Sequence, residues 1–191
     1  MWVDPLFQLM SQSIRHVRPV PLESATGLVA RAYDQMRADF FPVPLLTLHS
    51  PSPRILAGVW SVLRESLLAG EGDRVHREIV AAAVSKVNEC PFCTDAHALM
   101  LQIAAADTVA DHIRTGAYDR IVDADQRALV DWVLAQRAGS NAAGRSAAFG
   151  ADEAPALIGT AVAFHYINRM VNVFLGERLL PVPALARGAT E

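Results

Sequence analysis

The sequence is poor in cysteine: its 191 residues contain two. They lie three apart, as Cys90-Pro91-Phe92-Cys93. In a reducing compartment such a pair is not a structural staple, and it reads as redox chemistry or half of a metal site. Lysine is nearly absent, with Lys86 alone among 17 basic residues. The basic residues form no run and the net charge is −3, which argues against a binder of nucleic-acid phosphates. Long apolar runs are missing too. The longest charge-free apolar stretch, Ala154 to Asn168, falls short of the roughly 20 residues a bilayer requires. The start, Met1-Trp2-Val3-Asp4-Pro5, places no positive patch before an apolar run, so a secretory signal is not expected. These absences predict a cytoplasmic protein with no membrane and no nucleic-acid partner. Alternating β patterns, internal repeats and low-complexity tracts are also lacking.

What is present is a strongly apolar, helix-forming chain. Hydrophobic residues make up 52% and charged residues 19%, which suits one domain with a sizeable core. Apolar residues recur at helical spacing almost throughout, and alanine is abundant. The pattern predicts an all-α fold of about six to eight helices. A first helix is expected over 23–40, with Val29, Tyr33, Met36 and Phe40 as its stripe, stopped by Pro42 and Pro44. A second begins at Pro53 behind Ser52, buries Leu56, Val59, Trp60, Leu63 and Leu67, and ends at Gly70 and Gly72. A third follows Asp73 to about Asn88, and a fourth carries the cysteine pair to Ala106. A fifth is capped by Asp107 and ends at Gly116. Asp123 and Gln126 form a capping-box-like pair for a sixth. After a loop over 139–150, a last helix runs from about Asp152 to Gly176. Residues 1–22, with Pro5, Pro19 and Pro21, are expected as an extended arm lying on something, such as a partner subunit. Residues 23–180 form the domain and 181–191 a tail.

The chemistry concentrates in the segment from Glu78 to His97. Cys93 and His97 are four residues apart and share a helical face. In the first turn Cys93 faces the positive end of the helix dipole, which favours thiolate, and His97 can accept or relay its proton. On this reasoning Cys93 is the more acidic thiol. Cys90 lies just before the helix, where a disulfide to Cys93 closes with little rearrangement. Glu78, on the preceding helix, can reach back toward His97 or the thiols if the two helices form an antiparallel hairpin. Taken singly, each of these residues also has a plain structural explanation; their joint spacing is what singles them out. His165, Trp60 and Trp132 are expected to pack in the core and His76 to lie at the surface, while His16, His49 and His112 have no evident partner.

The pattern Glu-x11-Cys-x2-Cys-x3-His resembles the signature of the alkylhydroperoxidase D-like branch of the carboxymuconolactone decarboxylase superfamily, in its peroxidase-related subgroup. The segments Val84-Ser85-Lys86-Val87-Asn88, Asp95-Ala96-His97 and Leu48-His49-Ser50-Pro51 are similar as well, so the likeness is strongest over 48–106. It is looser at Tyr166-Ile167-Asn168-Arg169. The resemblance implies an all-helical single-domain bundle of that type, with 48–106 as its catalytic core, and a homo-oligomer (dimer, trimer or hexamer). It implies a thiol-dependent peroxidase that reduces small hydroperoxides without haem, flavin or metal. Cys93 would be the peroxidatic thiol, Cys90 the resolving thiol, and Glu78 and His97 a proton relay. A dithiol protein or small thiol would serve as reductant. Phe92 stands where the best-studied branch carries a relay histidine. The competing readings are a muconolactone-type ring-acid decarboxylase, which generally lacks the cysteine pair, a zinc module using Cys90, Cys93, His97 and Glu78 as ligands, and a redox sensor without turnover.

Overall fold

The computed structural model describes residues 13–104, 106–137 and 148–175. Among these residues the chain forms eight α-helices, and its extended pairing is a single antiparallel bridge between Ile14 and Leu175. The helices are α1 (Gly27–Asp39), α2 (Pro44–Thr47), α3 (Pro53–Leu63), α4 (Arg74–Val87), α5 (Pro91–Ile103), α6 (Asp107–Thr115), α7 (Ala124–Arg137) and α8 (Ala154–Phe174). The all-α expectation therefore holds.

Local chemistry explains most of the boundaries. Asp73 caps α4 by accepting the Val75 N–H at 2.7 Å, and Asp123 accepts the Gln126 N–H at 2.9 Å before α7. Pro44, Pro53 and Pro91 sit at the first positions of α2, α3 and α5, where the missing N–H has no helical partner to lose. Gly116 ends α6 in a left-handed conformation, φ 79°. Several expectations shift. The first helix begins at Gly27, behind a 3₁₀ turn at Leu22–Ser24, and Phe40 lies beyond its end, 44% exposed. Asp107 is the first residue of α6 and Ala106 holds the cap position. The short α2 arises where the prolines predicted a break, because Pro44 opens a helix as readily as it stops one.

α3 runs on into a π-helical turn, Arg64–Leu68, which brings this segment against α8. The approach needs two glycines. A Cβ on Gly159 would meet the Ser66 Cβ at 2.9 Å, and one on Gly70 would meet the Ala156 Cβ of α8 at 2.9 Å. Buried Arg77 ties the end of this turn down, donating to the carbonyls of Leu67 at 3.1 Å and of Glu71 and Gly72 at 2.8 Å each.

α4 is the central element. Every residue from Arg77 to Ser85 is buried, and α5, α6, α7 and α8 pack around it. Ala81, Ala82 and Ala83 keep its girth small, so those neighbours approach closely. α4 and α5 form the expected hairpin. The described part of the N-terminal arm lies on its own domain. The Arg15 N–H donates to the Phe174 carbonyl at 2.6 Å, Val20 N–H to Ser50 Oγ at 2.7 Å, and the Tyr33 hydroxyl to the Val20 carbonyl at 2.9 Å. Most of the predicted loop over 139–150 and the tail over 181–191 lie outside the described residues. None of the described helices is long and apolar enough to cross a membrane.

Candidate active site

The site is built on the α4–α5 hairpin and closed by α8. At its turn, the chain leaves α4 at Asn88, passes through Glu89 with φ 53°, and enters α5 at Cys90. A left-handed non-glycine residue is an unfavourable conformation that surrounding structure must hold. Here the Cys90 N–H donates to the Ser85 carbonyl at 3.0 Å. The Asn172 carboxamide reaches across from α8 to the carbonyls of Asn88 and Glu89, at 3.3 and 3.4 Å.

Cys90 occupies the N-cap position of α5 and Cys93 its first turn; both are buried and both thiols are free. Cys90 is held below the usual thiol range by the S–H that Cys93 donates to it; burial opposes this, and the Cys93 backbone N–H and the Asn168 side chain assist. Cys93 is pushed up because it is the donor in that bond, and burial and the charge on Cys90 add to the shift.

Glu78 and His97 meet as the hairpin expectation anticipated. Glu78 Oε2 accepts from His97 Nδ1 at 2.6 Å, and its Oε1 accepts from Arg74 Nη2 at 2.6 Å and Nε at 2.8 Å. The Glu78 side chain is 2% exposed and that of His97 14%. Burial alone would raise the Glu78 pKa, but the hydrogen bond and charge of His97, with Arg74, outweigh it and hold the carboxyl below its ordinary value. The carboxylate fixes the proton on His97 Nδ1 and leaves Nε2 to exchange one. The Phe164 ring stands edge to face against His97, 4.5 Å between centroids. Cys90, Cys93, Glu78 and His97 are thus all buried, or nearly so, on one hairpin.

The sequence reading missed the residues from α8 and one from α4. Asn168 is fully buried; its Nδ2 donates to Ser85 Oγ at 3.1 Å and its Oδ1 accepts from Asn88 at 2.9 Å. His165, expected in the core, is half-buried and bonds to Asn88 at 3.1 Å, with burial lowering its pKa. Arg74 was recoverable from its position four residues before Glu78; nothing in the local sequence marks Asn168. His49 does have partners, the Leu46 carbonyl and the Tyr166 hydroxyl, each at 3.0 Å. His76 pairs with Glu153 at 3.2 Å. Among the described residues no three His, Cys, Asp or Glu side chains gather into a set able to hold a metal ion. The zinc-ligand reading of Cys90, Cys93, His97 and Glu78 therefore finds no support in the geometry.

The described residues form an eight-helix bundle closed over a Cys-x-x-Cys hairpin. The fold matches the crystal structure of the alkylhydroperoxidase AhpD core of an uncharacterized peroxidase-related protein from Ralstonia eutropha JMP134, with a TM-score of 0.62 at 21% identity, over 80% of this chain and 86% of that one. In sequence the chain is 40% identical over 170 residues to the alkyl hydroperoxide reductase Rv2159c of Mycobacterium tuberculosis, an alignment covering 88% of this chain. The chain spans about half the length of that curated relative, 48%. No protein-family model matches the chain. The chain is thus similar in sequence to a protein named alkyl hydroperoxide reductase and in fold to an AhpD core.

Proposed function

We propose that the chain is a thiol peroxidase that reduces small hydroperoxides through a Cys90–Cys93 disulfide. The observation that carries this reading is the pair of free thiols buried together at the start of α5. The Cys93 proton passes to His97 Nε2, leaving a Cys93 thiolate. Its sulfur attacks the terminal peroxide oxygen, the O–O bond breaks, and the alkoxide leaves as an alcohol with a proton from His97 Nε2. Cys93 is then a sulfenic acid. The Cys90 sulfur attacks the Cys93 sulfur, water leaves, and the disulfide forms. Two electrons have moved from the two thiols to the peroxide. Glu78 holds His97 in one tautomer. A dithiol protein or small thiol returns the two electrons by exchange through a mixed disulfide. The homology to a protein named alkyl hydroperoxide reductase supports the substrate class.

Association into a homo-oligomer belongs to the same proposal. The exposed apolar side chains Ile55 and Val62 on α3, and Ile158 and Val162 on the packed neighbour α8, offer a surface for a second copy. Light scattering should give a mass above the 20.6 kDa of one chain.

The test is peroxide consumption with dithiothreitol as donor. The wild type should consume hydroperoxide catalytically, and the Cys90→Ser/Cys93→Ser double variant should match the donor alone. Equal rates for the two proteins would overturn the proposal.

A further inference from the structure

The buried carboxylate of Glu78 has two partners of different kinds. Its Oε2 accepts from His97 Nδ1 at 2.6 Å, and its Oε1 accepts from Arg74 Nη2 at 2.6 Å and Nε at 2.8 Å. A carboxylate removed from water keeps its charge only beside a positive group. Imidazole is positive only when both ring nitrogens carry protons, and Nε2 then has no lone pair to accept a thiol proton. Guanidinium is positive at every pH a protein meets and exchanges no proton. Arg74 is the first residue of α4, one turn before Glu78, and its side chain is 42% exposed. Its charge therefore stays partly hydrated while its fork grips the oxygen that His97 does not use.

We infer that Arg74 is a positioning residue that supplies the counter-charge of Glu78 and so leaves His97 Nε2 free to take the Cys93 proton. The Glu78–His97 pair can gain one more proton in two ways. On His97 it makes imidazolium. On Glu78 it reverses the hydrogen bond, so that the carboxylic acid donates to Nδ1 and the ring proton sits on Nε2. Both forms fill Nε2. Loss of the Arg74 charge favours this proton uptake in either form, so Nε2 fills at higher pH. The other charged groups near the pair are engaged elsewhere. Arg77, beside Glu78 on α4, donates to the carbonyls of Leu67, Glu71 and Gly72. At the start of α4, Asp73 caps the helix, and Glu153 at the start of α8 takes His76 and the Asp73 N–H. On α7, Arg127 and Asp131 bond to each other. On α5 the titratable neighbours of His97 are the two thiols. From α8, Phe164 stands against His97, and His165 bonds to Asn88 at the far end of the hairpin.

The inference rests on the reading that His97 Nε2 is the base for Cys93, and its first readout needs no peroxide. The reduced full chain, labelled with ¹⁵N-histidine, is titrated by NMR, with His97 assigned by its loss in His97→Ala. Ring nitrogen shifts report which nitrogen carries the proton. In the wild type at neutral pH, Nδ1 should be protonated and Nε2 not. Arg74→Gln and Arg74→Met should each raise the pH midpoint of Nε2 protonation by about one unit, about tenfold in proton affinity. The acid limb of the peroxide-consumption rate should move up with it. Arg74→Lys restores the charge and should hold the midpoint nearer the wild type than either neutral variant does. Neutral variants with an unmoved midpoint would overturn the inference, as would a lysine variant shifted as far as they are. So would a wild type with both nitrogens protonated at neutral pH, a result that depends on no variant folding. Expected midpoints in a protein that consumes no peroxide would overturn the proposed function while supporting Arg74 as the counter-charge of Glu78.

Discussion

The two ends of the α4–α5 hairpin are polar in different ways. Around Glu78 the polarity is ionic: a buried carboxylate bound by His97 and Arg74. Around Cys90 it is carboxamide and hydroxyl: Asn88, Asn168, Ser85 and Asn172. The ionic end centres on a paired carboxylate and imidazole, whereas the carboxamides of the other end hold geometry and offer dipoles. The hairpin thus separates the handling of protons from the placing of sulfur. Both ends depend on a buried group that would be costly without its partners.

Substitutions sharpen the contrast. The largest effect belongs to Cys93→Ser, which should abolish peroxide consumption measured by loss of substrate. Next is His97→Ala, for which a fall of about 10²–10⁴-fold in rate is expected, since general acid–base groups contribute about that much. Cys90→Ser should still react once, because it removes only the resolving thiol. Mass spectrometry should find sulfenic acid on Cys93, trapped by dimedone. If Cys90, in Cys93→Ser, instead forms the sulfenic acid at the wild-type rate, the order of the two thiols is reversed.

Stability separates the ends further. Glu78→Gln should cost about 1–3 kcal/mol at neutral pH, measured by urea unfolding, because it leaves His97 and Arg74 facing a neutral group. The folded-state pKa of Glu78 lies below its ordinary value of 4.5, so its contribution is complete above that value and is lost as pH falls through the lower, folded value. The variant should lack this acid-side loss. His49 is also lowered, by burial, from an ordinary 6.5; the stability tied to it is complete above 6.5 and declines below that value. The smallest effect is expected at the carboxamide end. Asn172 is exposed and its bonds are long, so Asn172→Ala should change unfolding free energy by no more than about 0.5 kcal/mol.

The same contrast explains what the sequence could reveal. Glu78, Cys90, Cys93 and His97 lie within one helical hairpin, so spacing along the chain converts directly into proximity. Helix starts at Asp73, Pro53 and Asp123 were legible because caps and proline act on adjacent residues. Asn168 was not, because its contacts to Asn88 and Ser85 span 80 and 83 residues, and an asparagine in an apolar helix carries no local mark of them. The π-helical turn after α3 was equally hidden, since Gly159 and Gly70 require it through close approach across the fold.

The account turns on the cysteine pair consuming peroxide. Its most direct test is peptide mapping by mass spectrometry of fully reduced protein, before and after one equivalent of hydroperoxide, with free thiols blocked by alkylation. The account predicts one peptide in which Cys90 and Cys93 are joined within the same chain, the mass lowered by two hydrogens, and one peroxide lost for each disulfide formed. Both thiols recovered free after peroxide, or joined only between chains, would contradict it.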